Sequence, residues 1–520
     1  MNDTISAPRT GAPPPATWPP PAVDIPAYGG KMEVRWDPDA KATPSGGLAH
    51  FAFFLKLSGL FDSLCGDFPV EYASNNSCSK RDIVGTVVLS VLRGHSRYAH
   101  VNALRNDAAA AEMLGLGKVV TDDSVRRALA RAGEAELDAW LSRHEHEAVD
   151  SMLRRDYVID IDSTVKPIFG RQEGAELGYS PVKPGRPSLN YHTFFIGMAR
   201  IVLGVDVRSG SQHAGVHGVP RLWRFLDGLP RDSRPRLLRG DVGYGSDRIM
   251  SEAEARSITY LFKMRRAGLA KSVFRHFADG GGWRPCGGGW EAREHHLRLE
   301  SWRLARRCIF VRRPAERKPG AEARKRGGAR KPSAPQQAEF DFAKDARGRE
   351  WDYCVLVTND AESDATALSQ LYRDRGDCEN NFDEFKNQWG WGGYTTRKLK
   401  PTRAMARLIG IVANWWNVYV RLADPDAHRE PVTSRPAYLD IVGRIVMHGG
   451  RRVIHLTSTH ACADAVKAAL TRIGAFLGWV ASTAAQSSRE VRWTMIWTHA
   501  FRKLLVTKPP DGAIPLPLRS

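Results

Sequence analysis

Tyr157-Val158-Ile159-Asp160-Ile161-Asp162 is the stretch from which the rest of the chain can be read. Its apolar and acidic residues alternate with a period of two, the pattern of a half-buried strand, and that period puts Asp160 and Asp162 on one face. Ser163 and Thr164 follow directly. Moving outward, the spacing predicts two further strands over 191–201 and 202–207, which together with the first make a meander. A helix over 219–229, a strand over 236–241, a helix over 247–256 and a strand over 258–262 come next. The order β-β-β-α-β-α-β describes a mixed α/β sheet flanked by helices.

That order is the arrangement of ribonuclease H-like folds, so the expected class is an α/β (mixed α+β) protein with such a core. The pattern breaks over 263–350, where 23 Lys and Arg stand against 10 Asp and Glu, so 13 of the 19 net positive charges lie there. Its middle, 317–337, is a Lys/Arg/Gly/Pro/Ala low-complexity loop, and its flanks, 290–299 and 302–311, have strand-like content. The expectation is a basic, mostly β insertion with a flexible loop. A strand over 353–358 returns to the sheet, and helices are expected over 364–388 and 401–422. The predicted organisation is a disordered Pro-rich arm at 1–45, a helical N-terminal domain at 46–152, core halves at 153–262 and 351–425 around the insertion at 263–350, and a helical C-terminal region at 426–520.

At 520 residues, of which 42% are hydrophobic, the chain can build two or three domains. The net charge of +19 points to a polyanionic partner. No run of 18 apolar residues exists, and the N-terminus lacks a basic segment followed by an apolar one, which favours DNA or RNA over a membrane and a cytoplasmic location. Cys65, Cys78, Cys286, Cys308, Cys354, Cys378 and Cys462 are scattered and never spaced C-x-x-C, so neither a zinc site nor a disulfide framework is indicated. His144 with His146, and His295 with His296, lack a partnering cluster and read as surface or satisfied histidines. In the N-terminal domain, Thr121-Asp122-Asp123 caps a helix that carries Arg126, Arg127 and Arg131. Those arginines suit either contact with phosphates or a solvated basic face.

Two aspartates end neighbouring predicted strands: Asp162, and Asp241 before the turn Val242-Gly243-Tyr244-Gly245. A third signal lies over 364–388. At about 100° per residue, Tyr372, Arg375, Glu379 and Lys386 project within an arc of about 60°. A solvated helix with an Arg375–Glu379 ion pair would show the same spacing. Hard divalent cations bind carboxylate oxygens, and two such cations about 4 Å apart can activate water or a 3′-hydroxyl and stabilise a departing oxygen at phosphorus. Arg375 and Lys386, on the face of Glu379, would attract the phosphate.

Here the sequence resembles the DDE transposases of bacterial insertion sequences, in the branch with the signature Tyr, two residues, Arg, three residues, Glu, six residues, Lys. Tyr372, Arg375, Glu379 and Lys386 match it without a gap, and Asp160-Ile161-Asp162-Ser163-Thr164 and Arg239-Gly240-Asp241-Val242-Gly243-Tyr244 resemble the surroundings of the family's two aspartates. Asp241 follows Asp162 by 79 residues and Glu379 follows Asp241 by 138, the longer interval holding the β insertion this branch carries. The resemblance implies that Asp162, Asp241 and Glu379 are catalytic and hold two Mg²⁺ ions, with Mn²⁺ able to substitute. It also implies that Tyr372, Arg375 and Lys386 contact DNA. Asp160 is the rival first ligand and Asp383 the rival third. Trp290, Trp302, Trp351 and Tyr353 are the aromatic candidates for stacking on a flipped base near the cut, or else core residues.

By the same resemblance the protein binds double-stranded DNA at the element's inverted repeats and at the target. It cuts and transfers strands as a dimer in a synaptic complex, in the bacterial cytoplasm at the nucleoid. The alternatives are a ribonuclease H-fold nuclease that does not transpose, and a DNA-binding derivative that has lost catalysis.

Overall fold

The computed structural model describes residues 22–506 apart from 73, 75–76, 155, 181–182, 213, 265–271, 274–276, 278–279, 316–340 and 345–348. Within that range the side chains of 214, 341–344, 377–379 and 505–506 are not described. The loop expected at 317–337 lies wholly outside the described residues.

Strands β1 (Val23–Ala27) and β2 (Gly30–Val34) form an exposed antiparallel hairpin, so the second half of the predicted arm is ordered. The turn falls at Tyr28-Gly29, and Gly30, which opens β2, takes a φ of 111° that a side chain would resist. After β3 (Lys41–Thr43) the described residues form seven α-helices: α1 (Leu48–Ser58), α2 (Leu60–Gly66), α3 (Lys80–Leu92), α4 (Ala108–Met113), α5 (Asp122–Arg131), α6 (Glu134–Glu147) and α7 (Asp150–Leu153). The side chains of Ser79 and Thr121 accept the backbone N–H of Asp82 and Ser124, fixing the starts of α3 and α5.

The sheet opens with β4 (Val158–Pro167), β5 (Ser188–Ile196) and β6 (Ile201–Ser209), an antiparallel meander. Helices α8 (Ala214–His217) and α9 (Val219–Asp227), strand β7 (Leu237–Gly245), helix α10 (Asp247–Ala255) and strand β8 (Tyr260–Met264) follow. β7 runs parallel to β4, and β8 parallel to β7. Strands β9 (Arg284–Pro285), β10 (Glu291–Leu297), β11 (Arg306–Pro314), β12 (Asp341–Lys344) and β13 (Glu350–Thr358) complete ten strands in the order β6-β5-β4-β7-β8-β13-β11-β10-β9, with β12 on β13. The strands expected to form an inserted subdomain therefore extend the central sheet. β13 pairs with both β8 and β11, so the insertion and the core share one ladder and no boundary separates them.

The helical segment expected over 364–388 is two helices, α11 (Ala365–Arg373) and α12 (Gly376–Asn387). At the junction the N–H of Arg375 bonds the carbonyl of Tyr372, three residues back, which tightens the turn just before the poor helix former Gly376. Helix α13 (Leu399–Arg421) follows and is buried along nearly its whole length. It guards the open edge of the sheet. Asn414 accepts from the N–H of Val202 and donates to its carbonyl, satisfying the outward backbone groups of edge strand β6.

The C-terminal region holds α14 (Pro431–Tyr438), a hairpin of β14 (Gly443–His448) and β15 (Arg451–Leu456), and α15 (Ala463–Thr483), α16 (Arg489–Ala500) and α17 (Arg502–Val506). The hairpin adds two strands to the C-terminal region expected to be mainly helical, and β14 pairs with β3 from the other end of the chain. Phe51 and Phe54 of α1 meet Tyr419 of α13 and Trp493 of α16, so the N- and C-terminal helices and the sheet share one hydrophobic core. Among the described residues no single helix is long and apolar enough to cross a membrane.

Candidate active site

Strand alternation decides what faces what. Ile159 and Ile161 enter the main core, while Val158, Asp160 and Asp162 point to the opposite face. On β7, Leu237, Arg239 and Asp241 share that second face, where Leu237 packs with Leu368 and Tyr372 of α11. The parallel register pairs Asp160 with Arg239 and Ile161 with Gly240, so Asp162 and Asp241 are the next neighbours across two strands about 4.8 Å apart. The ladder to β8 is then interrupted between Gly240 and Gly245, and the bulge lifts Asp241 out of regular pairing. Asp162 is buried and accepts the N–H of Ser163 at 2.7 Å. Asp241 is half-buried and accepts the N–H of Gly243 at 2.8 Å.

Cationic groups close on this acidic pair from the helix junction. Arg375, buried at the start of α12, donates through Nη2 to Asp162 Oδ2. Lys386, half-buried two to three turns further along α12, feels the negative charge of both Asp383 and Asp162. Burial nevertheless dominates and holds its ammonium below the ordinary lysine range. Tyr372 is buried, and its phenol is pushed up by burial, countered by Arg375 and reinforced by Asp241 and Asp162. α12 is held on the sheet by Phe382 and Phe385, whose rings lie 5.5 and 5.9 Å from that of Phe195. Arg200, in the turn between β5 and β6, donates to Asn381 at 3.0 Å.

Asp162, Asp241, Tyr372, Arg375 and Lys386 are thus brought together. Position 379 lies on α12 seven residues before Lys386, within about 20° of it around the helix. The side chain of Glu379 is outside the described residues. Asp383 is exposed and accepts from Asn387 at 2.7 Å. Asp160 is fully buried and bound by Arg239 through two bonds of 2.5 and 2.9 Å, so its oxygens face a guanidinium inside the protein. The four aromatic candidates, Trp290, Trp302, Trp351 and Tyr353, are 5–7% exposed. The first three have the guanidinium of Arg313, Arg306 and Arg312 over their rings. The arginines of α5 are engaged within their own domain: Arg126 with Asp122 and Asp123, Arg127 with Asp123, and Arg131 over the ring of Tyr72.

A family model described as the transposase DDE domain matches residues 153–415, just over half of the chain. This chain belongs to the DDE transposase-domain family. The matched span runs from the approach to β4 into α13 and contains every residue of the site above. Membership makes it a protein of DNA transposition and recombination, a class of enzyme that cleaves and transfers DNA. No curated protein matches the sequence. Among solved structures, a cryo-EM piggyBac transposase synaptic complex with hairpin DNA aligns over 91% of this chain and 89% of its own, at 10% identity and a TM-score of 0.39.

Sequence reasoning passed over two residues of this transposase-family site. Tyr244 stood in the glycine-containing turn and at the end of the second aspartate motif, with no role assigned to it. It is buried beside the acidic pair, where burial, Asp162 and Asp241 all push its phenol well up. Arg239 was part of the second aspartate motif, but nothing local shows that it spans from Asp160 to the carbonyl of Leu371, tying both strands to the end of α11.

Proposed function

We propose that this chain is the transposase of a bacterial insertion sequence. In this reading it binds the element's inverted repeats as double-stranded DNA, cuts one strand and directs the freed 3′-hydroxyl into target DNA. It works as a dimer in a synaptic complex at the nucleoid. The supporting fold is ribonuclease H-like: the order β6-β5-β4-β7-β8, three antiparallel strands followed by two parallel ones, favours that core.

The observation that carries the reading is the placement of Asp162 and Asp241 on adjacent parallel strands, each one residue beyond the last pair of the β4–β7 ladder, beside Arg375 and Lys386. The donor set fits Mg²⁺ or Mn²⁺: adjacent carboxylate oxygens, with position 379 of α12 as the proposed third ligand. Two such ions held there would supply Lewis-acid stabilisation of entering and leaving oxygens at phosphorus. The chain's own contribution is positional and electrostatic. Half-buried Asp241 is the side open to solvent, so a phosphodiester arriving there meets the charges of Arg375 and Lys386. Arg239 and Tyr372 keep strands β4 and β7 and the helix junction in one arrangement while the DNA is bound.

A Mg²⁺-dependent cleavage assay on DNA from the ends of the element tests this. Asp162→Ala, Asp241→Ala and Glu379→Ala are each expected to abolish cleavage while leaving DNA binding in EDTA intact. Full activity in any one variant removes that residue from the metal site, and wild-type cleavage without divalent ions overturns the mechanism.

A further inference from the structure

Beyond the acidic pair, the end of β4 opens into a cleft of about 970 Å³ between the catalytic sheet and the N-terminal helices. One wall is the end of β4 with the residues that follow it, including Lys166 and Phe169. The second is the segment at Arg97 and the start of α5, and the third the loop 392–398 after α12. These walls are fastened to each other. Tyr394 N–H bonds the Ser96 carbonyl at 2.7 Å and Glu173 N–H bonds that of Arg397 at 2.8 Å. Gly393 lies so close to Ser96 that an added Cβ would sit 1.6 Å from its carbonyl oxygen. The cleft is therefore preformed.

Its charge is strongly one-sided. Arg126 and Arg127 are balanced by Asp122 and Asp123, but exposed Arg97, Arg397 and Lys398 have no carboxylate partner among the described residues. Lys166 adds a further amine at the floor, donating to the Gly393 carbonyl. At the rim Phe169 is 74% exposed, with the guanidinium of Arg186 4.5 Å from its ring centre. Unpaired cations beside an exposed aromatic ring form the combination that grips single-stranded nucleic acid, phosphates on the charges and a base on the ring.

We propose that this cleft holds an unpaired stretch of the DNA strand leading to the acidic pair, with phosphates on Arg97, Arg397 and Lys398 and a base stacked on Phe169. Lys166 lies four residues beyond Asp162 on β4, about 13 Å at about 3.3 Å per residue. That is the length of about four stacked nucleotides at about 3.4 Å each. The strand opened at the cut is thus held apart from its complement close to the site. The inference rests on the DNA-transposase reading but is independent of metal binding and of catalysis.

The test is fluorescence anisotropy with the full chain in EDTA, comparing a short fluorescein-labelled duplex that carries an oligo(dT) tail with the same duplex blunt. The wild type is expected to prefer the tailed DNA by about tenfold, the size of one base–aromatic stack. Phe169→Ala should remove that preference and leave blunt-duplex affinity unchanged, and Phe169→Trp should keep it. The double variant Arg97→Ser/Lys398→Ser should weaken tailed binding and reduce its salt slope by about 1.4, about 0.7 for each lost contact. Equal wild-type affinity for the two DNAs, or a Phe169→Ala loss that is the same for both, overturns the proposal. Tail preference without Mg²⁺-dependent cleavage would sink the catalytic reading and leave the cleft standing; cleavage without tail preference would do the reverse.

Discussion

Asp160 and Asp162 are two residues apart on one strand face, and nothing in their immediate neighbours separates a ligand from a structural ion pair. The difference comes from across the sheet. Arg239 stands opposite Asp160 and takes both its oxygens, while Asp241 stands next to Asp162. Arg239→Met would leave a fully buried carboxylate unpaired, and removing one member of such a pair costs about 3–5 kcal/mol. Urea denaturation should show a loss of that order, with Asp160→Leu/Arg239→Met recovering part of it. A loss of less than about 1 kcal/mol in the single variant would mean that the pair is not buried as described. Lys166 provides a pH test on the same strand. Burial lowers its amine to about 7 from an ordinary 10.5. Between these values the unfolded chain holds the proton and the folded chain does not, so stability should rise as pH increases from about 7 to about 10.5. Below about 7 both states hold it and the penalty is constant. Lys166→Met should stabilise the protein near neutral pH by on the order of a few kcal/mol and remove this part of the pH dependence.

At the scale of elements, most strands and helices follow from periodicity, because alternation and helical spacing are local properties. β4, β7, β8, α9, α10 and α13 fall within a few residues of their expected spans. The break between α11 and α12 does not, since Asp374 and Arg375 keep right-handed helical angles and only a hydrogen bond shifts from the fourth residue back to the third. Tyr372 therefore closes one helix and Arg375 opens the next, and Tyr372, Arg375 and Lys386 converge on Asp162 across a junction. The sheet edge was equally hidden, because Asn414 reads as one polar residue in an apolar helix. Its amide satisfies both backbone groups of Val202 in a buried setting, so Asn414→Ala should destabilise by about 2–6 kcal/mol, at about 1–3 kcal/mol for each group left unpaired. Thermal unfolding measures this. A change within about 0.5 kcal/mol, the range of an ordinary surface substitution, would show that water replaces the amide and that the edge is open.

The whole molecule departs furthest from a reading made segment by segment. Composition and texture divide the chain at 152 and 426, but burial joins what they divide, since no local pattern records which distant surface will cover a given helix. Phe51 of α1 lies 5.5 Å from Trp416 and 5.1 Å from Tyr419, and Phe54 lies 6.1 Å from Trp493. β3 is completed by β14, and Arg93 of the N-terminal half is paired with Asp440. A fragment of residues 46–152 would expose both phenylalanines, a loss of about 1.5–3 kcal/mol each, against a total stability of about 5–15 kcal/mol for a domain. It would also lose the Arg93–Asp440 ion pair and the packing of α3, α5 and α6 on α13. The expected outcome is a fragment that keeps helical circular dichroism, binds a hydrophobic dye and melts without a cooperative transition, whereas the full chain unfolds cooperatively. A sharp melt with dispersed amide resonances from the fragment would establish an autonomous N-terminal domain. The cleft beside β4 would then lie between two bodies free to move, and the fixed walls inferred for it would no longer follow from the fold.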